Sequence, residues 1–325
     1  MKAIVIENYG GPEQLVIKDI PKPEPKADQV VVKVKAFGIN RAETYMRQGL
    51  WGDVAKVSGI ECVGEVDNDP SGTLKPGEKV AAIMGGMGRM INGSYAEYTC
   101  LPSSNVWPIE TSLSWSDFAA IPESYATAWS ALHGNLEIKS QQTILIRGAT
   151  SSLGQAAINI ARKKDMTILA TTRNSSKKTL LKSLGADVIF LENHNLSETI
   201  RKAHPEGIDH VLEIVGNTTL KDSLKSVKRN GRVCMVGLLG GGTPIEAFNP
   251  LFDMPSGVHL SSFASIMLGT EYFPLANIPM QDIVNDVMAG IYKAKPVKVF
   301  PFDDIVKAHQ LMESNEAGGK IVVSL

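Results

Sequence analysis

Apolar residues fall along this chain in two rhythms. Through the first hundred or so residues, short β-like runs alternate with Gly/Pro turns: "KAIVI", "QVVVKVKAFGI", "IECVGEV", "EKVAAIM" and "SYAEYTC", with "KPGE" (Lys75 to Glu78) as a turn between two of them. Such spacing predicts a compact antiparallel barrel or sandwich. The rhythm changes at "TSLSWSDFAAIPESYATAWSALHG", where apolar residues recur at helical spacing through Leu132 and Ser114 or Ser116 supplies an N-cap.

From Gln142 the pattern is strand, then helix, repeated. The strands read "TILIR", "TILATT", "DVIFL", "HVLEIV", "RVCMVG" and "VHLSSFA"; the helices run near 152–164, 176–184, 197–203 and 218–227, with Gly185 as a helix C-cap. Strands apolar on both faces and separated by helices predict a parallel sheet covered on both sides. Six of them fit the doubly wound nucleotide-binding layout. Beyond about Ser265 the pattern loosens into a helix near 282–292, and "KVFPFDDIVKAHQLMESNEAGGKIVVSL" closes the chain as strand, helix, strand, with Asp303 or Asp304 opening that last helix. The final strand, 320–325, is too detached to extend the parallel sheet and is expected to pair with the N-terminal domain.

The first strand-to-helix turn, "RGATSSLG", carries candidate chemistry. A phosphate at such a turn needs backbone N–H groups aimed at it and a helix N-terminus behind them. Gly148, Ala149 and Gly154 keep small residues at three of the critical places, whereas Ser151 and Ser152 stand where a dinucleotide fingerprint usually has glycine. Their hydroxyls can cap the helix and also reach phosphate oxygens, and both are expected to contact the pyrophosphate. Nineteen residues beyond Gly154 comes Arg173, in "ATTRNSSKK", where an NAD-binding turn would place a carboxylate for the ribose 2′-OH. Arg173, Ser175, Ser176, Lys177 and Lys178 suit a 2′-phosphate instead, so NADPH is the expected cofactor; the bland alternative is a solvated basic loop. The expected cofactor contacts here are Ala149, Thr150, Ser151, Ser152, Leu153 and Gly154 in the turn, and Thr172, Arg173 and Lys177 beyond the second strand.

Composition narrows the field. At 325 residues two domains are expected, and 43% hydrophobic and 21% charged residues are ordinary for a globular protein. A formal net charge of −1 leaves no electrostatic footprint for nucleic acid or an anionic membrane. No apolar run approaches the ~20 residues that span a bilayer, and "MKAIVIENYGG" reads as strand and turn rather than a signal peptide. Three scattered cysteines, Cys62, Cys100 and Cys234, argue for a reducing compartment, with the cytoplasm as the default.

Together these features resemble the medium-chain dehydrogenase/reductase superfamily, and within it the zinc-free, zeta-crystallin-like quinone oxidoreductases. The likeness covers essentially the whole chain and rests on "MKAIVIENYGGPEQLVI", "FGINRAETYMRQG", "LKPGEKV", "GSYAEYT", "ATAWSAL", the nucleotide turn, "GLLGG", "FNPL" and "GGKIVV". It implies a GroES-like catalytic domain of residues 1–122 and 266–325 and a Rossmann domain of residues 123–265. Zinc members of the superfamily place a Cys in the segment matching "GINRAET" and a His in that matching "SGIECVG". Here those places hold Asn40 and Ile60. Glu61 survives, but one carboxylate cannot supply the three protein ligands of a catalytic zinc. The cysteine-rich structural lobe is absent too, so no metal is expected, and Cys62 reads as a core residue.

Without a Lewis acid, plain alcohol oxidation loses its usual catalyst. The resemblance therefore implies hydride transfer from NADPH to a small electrophile, a quinone first and an α,β-unsaturated ketone or aldehyde as the alternative; a non-enzymatic NADPH-binding protein is the reading from another class. By resemblance Asn40 and Tyr45 line the nicotinamide and substrate cleft, Tyr45 being the candidate oxyanion donor or else only a wall aromatic. Thr127 touches the nicotinamide end. Further cofactor contacts are Gly216 and Asn217, Gly237, Leu238 and Leu239, Phe248 of "FNPL", and Lys320. Arg41 is expected in a surface salt bridge. A homodimer is expected through the edge strand "VHLSSFA".

Overall fold

The structure, a computed structural model, describes residues 1–193 and 195–325, which form two compact units: Met1–Ala126 with Ser265–Leu325, and Thr127–Ala264. The first unit is built on one long strand, Gln29–Ile39, which pairs antiparallel with Glu61–Asn68, with Tyr98–Pro102 and, at its far end, with Ile321–Ser324. A seven-stranded sheet results, ordered Lys298–Pro301, Ile321–Ser324, Gln29–Ile39, Glu61–Asn68, Lys79–Ile83 and Val106–Pro108, with Tyr98–Pro102 branching from the long strand. A separate antiparallel pair joins Lys2–Ile6 to Leu15–Asp19. One strand serves three partners because its register shifts between Val34 and Ala36, bending it partway along. Both faces are covered towards its two ends, while Lys33 and Lys35 open one face to solvent between them; Val30, Val32, Phe37 and Ile39 are fully buried together with Ile4, Leu101, Ile321 and Val323.

The closing strand thus returns to the N-terminal sheet as its isolation in the pattern predicted. "SYAEYTC" behaves differently from expectation: only Tyr98–Pro102 is a strand. Between Ser94 and Glu97 the backbone bonds are divided among separate partners, with Tyr95 accepting from Ile4 N–H and Glu97 donating to Lys2 and accepting from Val34. No single ladder can form there.

In the second unit six strands form one parallel sheet: Thr143–Arg147, Thr167–Thr172, Val188–Leu191, Ile208–Glu213, Val227–Met235 and His259–Ser262. In chain order their places across the sheet are 3-2-1-4-5-6, the doubly wound order. The helices are Ser152–Lys163, Lys178–Leu184 behind a short 3₁₀ turn, Leu196–Ala203 and Leu220–Ser226. Gly185 is the left-handed cap at φ 112°, its N–H bonded to the Lys182 carbonyl. The single helix expected over "TSLSWSDFAAIPESYATAWSALHG" is instead three pieces: Trp115–Phe118 capped by Ser114, Pro122–Ser130, and a wider turn at Ala131–Asn135. Pro122 forces the break, because its ring has no N–H to continue the first piece. The helix expected near 282–292 is Met280–Met288; Gly290, at φ 72°, marks its end.

What holds the second unit beneath its turn is Arg147, the last residue of the first strand and completely buried. Its guanidinium donates to Glu192 (3.0 and 3.1 Å from Nε), the Asn193 carbonyl (3.0 Å), Asp222 (2.8 Å), Ser223 (3.0 Å) and the Thr219 carbonyl (3.2 Å). The planar fork ties the exit of the third strand to the helix after the fourth, satisfying a charge that would otherwise be prohibitive to bury. Among the described residues no helix is long and apolar enough to cross a membrane.

Candidate active site

In the first unit the helix Arg41–Arg47 follows the long strand with Asn40 as its N-cap. The Glu43 carboxylate accepts the Asn40 N–H, the return half of a capping box, and the Ile60 N–H at 3.2 Å. The Asn40 side chain turns inward. Its Nδ2 donates to Glu61 at 2.9 Å and faces Glu43 at 3.3 Å, while its Oδ1 accepts from Lys320 Nζ at 2.7 Å. Lys320 also forms an ion pair with Glu61, and the other Glu61 oxygen accepts the Glu123 N–H at 2.9 Å.

The antiparallel register makes this meeting possible. Ile321 pairs with Ile39, so the residues just outside that pair, Lys320 and Asn40, are opposed. Gly38 leaves the room the ammonium needs: a Cβ there would lie 2.8 Å from Lys320 Nζ. Lys320 and Glu61 are both almost wholly excluded from solvent. Burial alone would pull the Lys320 ammonium down, but the carboxylates of Glu61, Glu123 and Glu43 and the Glu61 hydrogen bond hold it above its ordinary value. Burial pushes the Glu43 carboxyl up to about 8, with Lys320 and the Asn40 N–H pulling the other way. At neutral pH the Glu43 carboxyl, raised to about 8, is mainly protonated beside the Lys320 ammonium.

These residues do not fit a catalytic zinc. Asn40 offers an amide oxygen, Ile60 a hydrocarbon, and the Glu61 oxygen nearest Asn40 already carries Lys320. Cys62 is buried among the core residues, its thiol pushed up by burial.

Of the other expected site residues in this unit, Tyr45 is half-buried on the same helix, its ring 5.5 Å from that of Trp51. Arg41 donates to Asn315 Oδ1, at the left-handed residue that ends the helix Ile305–Ser314.

In the second unit Gly148 takes φ 87°, and its N–H donates to Thr171 Oγ1 at 3.0 Å, tying the turn to the second strand. Ser151 is the helix cap: its Oγ accepts the Gly154 N–H at 3.1 Å and donates to the Gly148 carbonyl at 2.9 Å. Its hydroxyl is thus engaged within the turn. Ser152 differs, because neither its hydroxyl nor the N–H groups of Ser152 and Leu153 make a hydrogen bond among the described residues. Gly154 is required by packing, since a Cβ would sit 2.7 Å from Ala149 Cα. Gly148, Gly216 and Gly237 converge at the ends of the first, fourth and fifth strands. A Cβ on Gly216 would meet the Gly237 carbonyl at 2.5 Å, and one on Gly148 would lie 3.4 Å from the Leu239 side chain. Asn217 donates to the Thr243 carbonyl at 2.7 Å, and Thr150 accepts from Gln155 at 2.9 Å. Thr127 and Thr172 are buried, and Phe248 packs against the core under the sheet. Arg173 and Lys178 are exposed and Lys177 half-buried; none has an ion pair among the described residues.

Sequence reasoning missed Glu43, the pairing of Lys320 with Glu61, and Arg147. Glu43 had a local signal, the N-x-x-E spacing of "NRAE" before an apolar run. The other two join residues far apart in the chain and had none.

Two outcomes follow from the buried cluster. Lys320→Met leaves Glu61 as an uncompensated buried charge and lowers the unfolding free energy by roughly 3–5 kcal/mol; adding Glu61→Gln restores part of the loss in urea unfolding. Glu43 has a folded pKa raised above its unfolded one, so its contribution is fully present below about pH 4.5 and is lost as pH rises to about 8. The thermal midpoint of the parent therefore falls over that window more steeply than that of Glu43→Gln, measured side by side.

Comparison with known proteins agrees with this architecture. The family described as alcohol dehydrogenase GroES-like domain matches residues 26–111, and that described as zinc-binding dehydrogenase matches residues 152–276. The quinone oxidoreductase of Homo sapiens is 32% identical over 346 aligned positions, covering 100% of this chain and 98% of the human protein. Two solved structures share the fold: the quinone oxidoreductase of Pseudomonas syringae pv. Tomato DC3000 (TM-score 0.88, 24% identity, 100% and 99% of the chains) and a mycobacterial protein complexed with NADPH (TM-score 0.88, 23% identity, 100% of both). A Rossmann sheet whose glycine loops meet at the strand ends, a GroES-like unit and end-to-end likeness to a quinone oxidoreductase place this NAD(P)-binding oxidoreductase in the medium-chain dehydrogenase/reductase superfamily, in its quinone oxidoreductase branch.

Proposed function

We propose that this chain is an NADPH-dependent, zinc-independent reductase that transfers hydride to a quinone. The observation that carries the reading is the Lys320 ammonium seated on the oxygens of Glu61 and Asn40. A fixed internal cation holds the carboxylate and amide that would otherwise face a metal, and an isoleucine replaces the imidazole donor. The acceptor must then take hydride without Lewis-acid help, and a quinone does so because its product is aromatic. The name of the human relative, quinone oxidoreductase, supports the same acceptor class.

For the cofactor, the turn offers what a pyrophosphate needs: the unbonded N–H groups of Ser152 and Leu153, the Ser152 hydroxyl and a twelve-residue helix behind them. Ser151 keeps that helix start in place. Arg173 and Lys177, in a loop without a carboxylate, would take the 2′-phosphate, and Thr172 would border it. A likeness to the mycobacterial protein complexed with NADPH points the same way. Ala149 and Thr150 would border the pyrophosphate through backbone. Thr127, Gly216, Asn217, Gly237, Leu238, Leu239 and Phe248 would border the rest of the cofactor. When bound, NADPH supplies the hydride.

Tyr45 would donate a hydrogen bond to the oxygen on which negative charge develops, and that oxygen finally takes a proton. Asn40, with both ends of its amide engaged, would set the start of the helix that carries Tyr45 and leave hydrogen bonding to the substrate to the phenol. Lys320, expected beside the cofactor, would also hold Asn40 in place through its Oδ1. Three free cysteines accord with a cytoplasmic enzyme. The short edge strand His259–Ser262 supports a homodimer, which a sedimentation mass near that of a single chain would refute.

The reading is tested by NADPH consumption with a panel of quinones and enones. Quinones are expected to give the higher kcat/KM, and prior incubation with a chelator to leave the rate unchanged. Tight NADPH binding with no oxidation by any acceptor would overturn it. Arg173→Ala is expected to weaken NADPH binding about tenfold or more and to leave NADH binding near the parent value by fluorescence titration. Equal losses for the two would remove the 2′-phosphate argument.

A further inference from the structure

The segment "GGMGRMINGS" follows the Lys79–Ile83 strand as a tight glycine-rich loop, with Gly85, Gly86 and Gly88 all at positive φ. That backbone places Arg89 against a second loop, residues 49–56: the Arg89 carbonyl accepts the Ala55 N–H at 2.9 Å. The Arg89 side chain lies over Trp51, its guanidinium carbon 4.3 Å from the ring centroid. Trp51 in turn meets Tyr45, ring to ring at 5.5 Å and tilted by 53°. Arg89, Trp51 and Tyr45 thus form a continuous row of one cation and two aromatic rings, ending on the helix that Asn40 caps.

The cation in this row is not neutralised. Its guanidinium makes no ion pair and no side-chain hydrogen bond among the described residues, and it is half-buried. Partial burial pulls its pKa down from the ordinary arginine value, without approaching loss of the charge. A guanidinium spared for structural use would ordinarily find a carboxylate, as Arg47 does with Glu313 and Arg147 with Glu192 and Asp222. Arg89 instead rests on an aromatic face that fixes its position and leaves its five N–H donors open.

We propose that Arg89, seated on Trp51, is a specificity-determining residue that selects acceptors carrying an anionic substituent, a carboxylate or sulfonate, on a planar conjugated ring. The ring lies along Tyr45 and Trp51, and the anion takes a charge-assisted, two-point hydrogen bond from the guanidinium. This rests on the reductase reading above for the chemistry, and on this row alone for the charge preference.

The test uses full-length protein and two matched pairs of probes. With NADPH as donor, 1,4-naphthoquinone is compared with 1,4-naphthoquinone-2-sulfonate at low ionic strength. Without turnover, 2-naphthol is compared with 2-naphthoate by calorimetric binding. In Arg89→Met, which keeps an apolar side chain over Trp51, the kcat/KM ratio of sulfonated to neutral quinone is expected to fall about tenfold. The fall lies in KM, the KM for NADPH does not move, and Arg89→Lys recovers part of the ratio. Naphthoate binding falls by a similar factor while naphthol binding holds. Added salt narrows the difference in the parent and not in Arg89→Met. Equal loss for charged and neutral probes would show that Arg89 only shapes the loop and would overturn the proposal, as would unchanged ratios. A parent that reduces neither quinone but binds naphthoate through Arg89 would sink the reductase reading and leave the charge selection standing.

Discussion

The first unit depends on one buried ammonium. Lys320 Nζ is held by Glu61 and Asn40 in a place that water hardly reaches. Removing a charge from water costs several kcal/mol per ion, so each partner must be anchored in turn. The second Glu61 oxygen takes a backbone N–H from Glu123, and Asn40 is bracketed by Glu43. Four parts of the chain are joined this way: the end of the long strand, the start of the Glu61–Asn68 strand, the first turn of the Pro122–Ser130 helix and the closing strand. The position and direction of the helix bearing Tyr45 follow from that knot. A side-chain cation already sits on the Glu61 and Asn40 oxygens.

The second unit solves a related problem differently. Its charged centre, Arg147, directly precedes the strand-to-helix turn and spends its guanidinium on Glu192 and the Asn193 carbonyl beyond the third strand, and on the Thr219 carbonyl, Asp222 and Ser223 at the start of the Leu220–Ser226 helix. Above it the turn is shaped by packing: Gly154 lets the helix approach Ala149, and Gly216 and Gly237 let two loops touch backbone to backbone. The serines that replace the usual glycines divide the labour. Ser151 closes the helix end on itself, and Ser152 keeps its hydroxyl and N–H unspent. A serine in such a turn is a cap first, and its neighbour is the candidate ligand.

Legibility followed the range of the forces involved. The six strands of the second unit were readable because burial on both faces leaves continuous apolar runs, and their order follows from the doubly wound rule. The long strand Gln29–Ile39 was readable from its β-branched run and its lysines at alternate positions, 33 and 35. The helix over residues 114–132 was misjudged as one piece because apolar periodicity does not register the missing N–H of Pro122. The stretch Ser94–Glu97 had the composition of a strand, but its hydrogen bonds are shared among separate neighbours, which composition cannot express. Of the candidate site residues, the turn and Arg173 stood out locally, whereas Asn40 and Tyr45 were expected only from the family resemblance. Lys320 was expected beside the cofactor from the resemblance, and its pairing with Glu61 had no sequence signal.

By itself, then, the sequence determined the two kinds of unit, the parallel sheet, the small-residue strand-to-helix turn, the basic loop after the second strand, and Asn40 and Ile60 where zinc members of the superfamily place a cysteine and a histidine. Each is written in neighbouring residues, through side-chain periodicity or residue type. The tertiary structure alone decided that Lys320 fills the space between Asn40 and Glu61, that Arg147 clamps the loops around the turn, and that Arg89 rests on Trp51. Those contacts link residues brought together by strand register and loop packing. An ion pair between positions 61 and 320 leaves no periodic trace in the chain, because its energy depends on distance in space and on the exclusion of water, and only the folded sheet sets both.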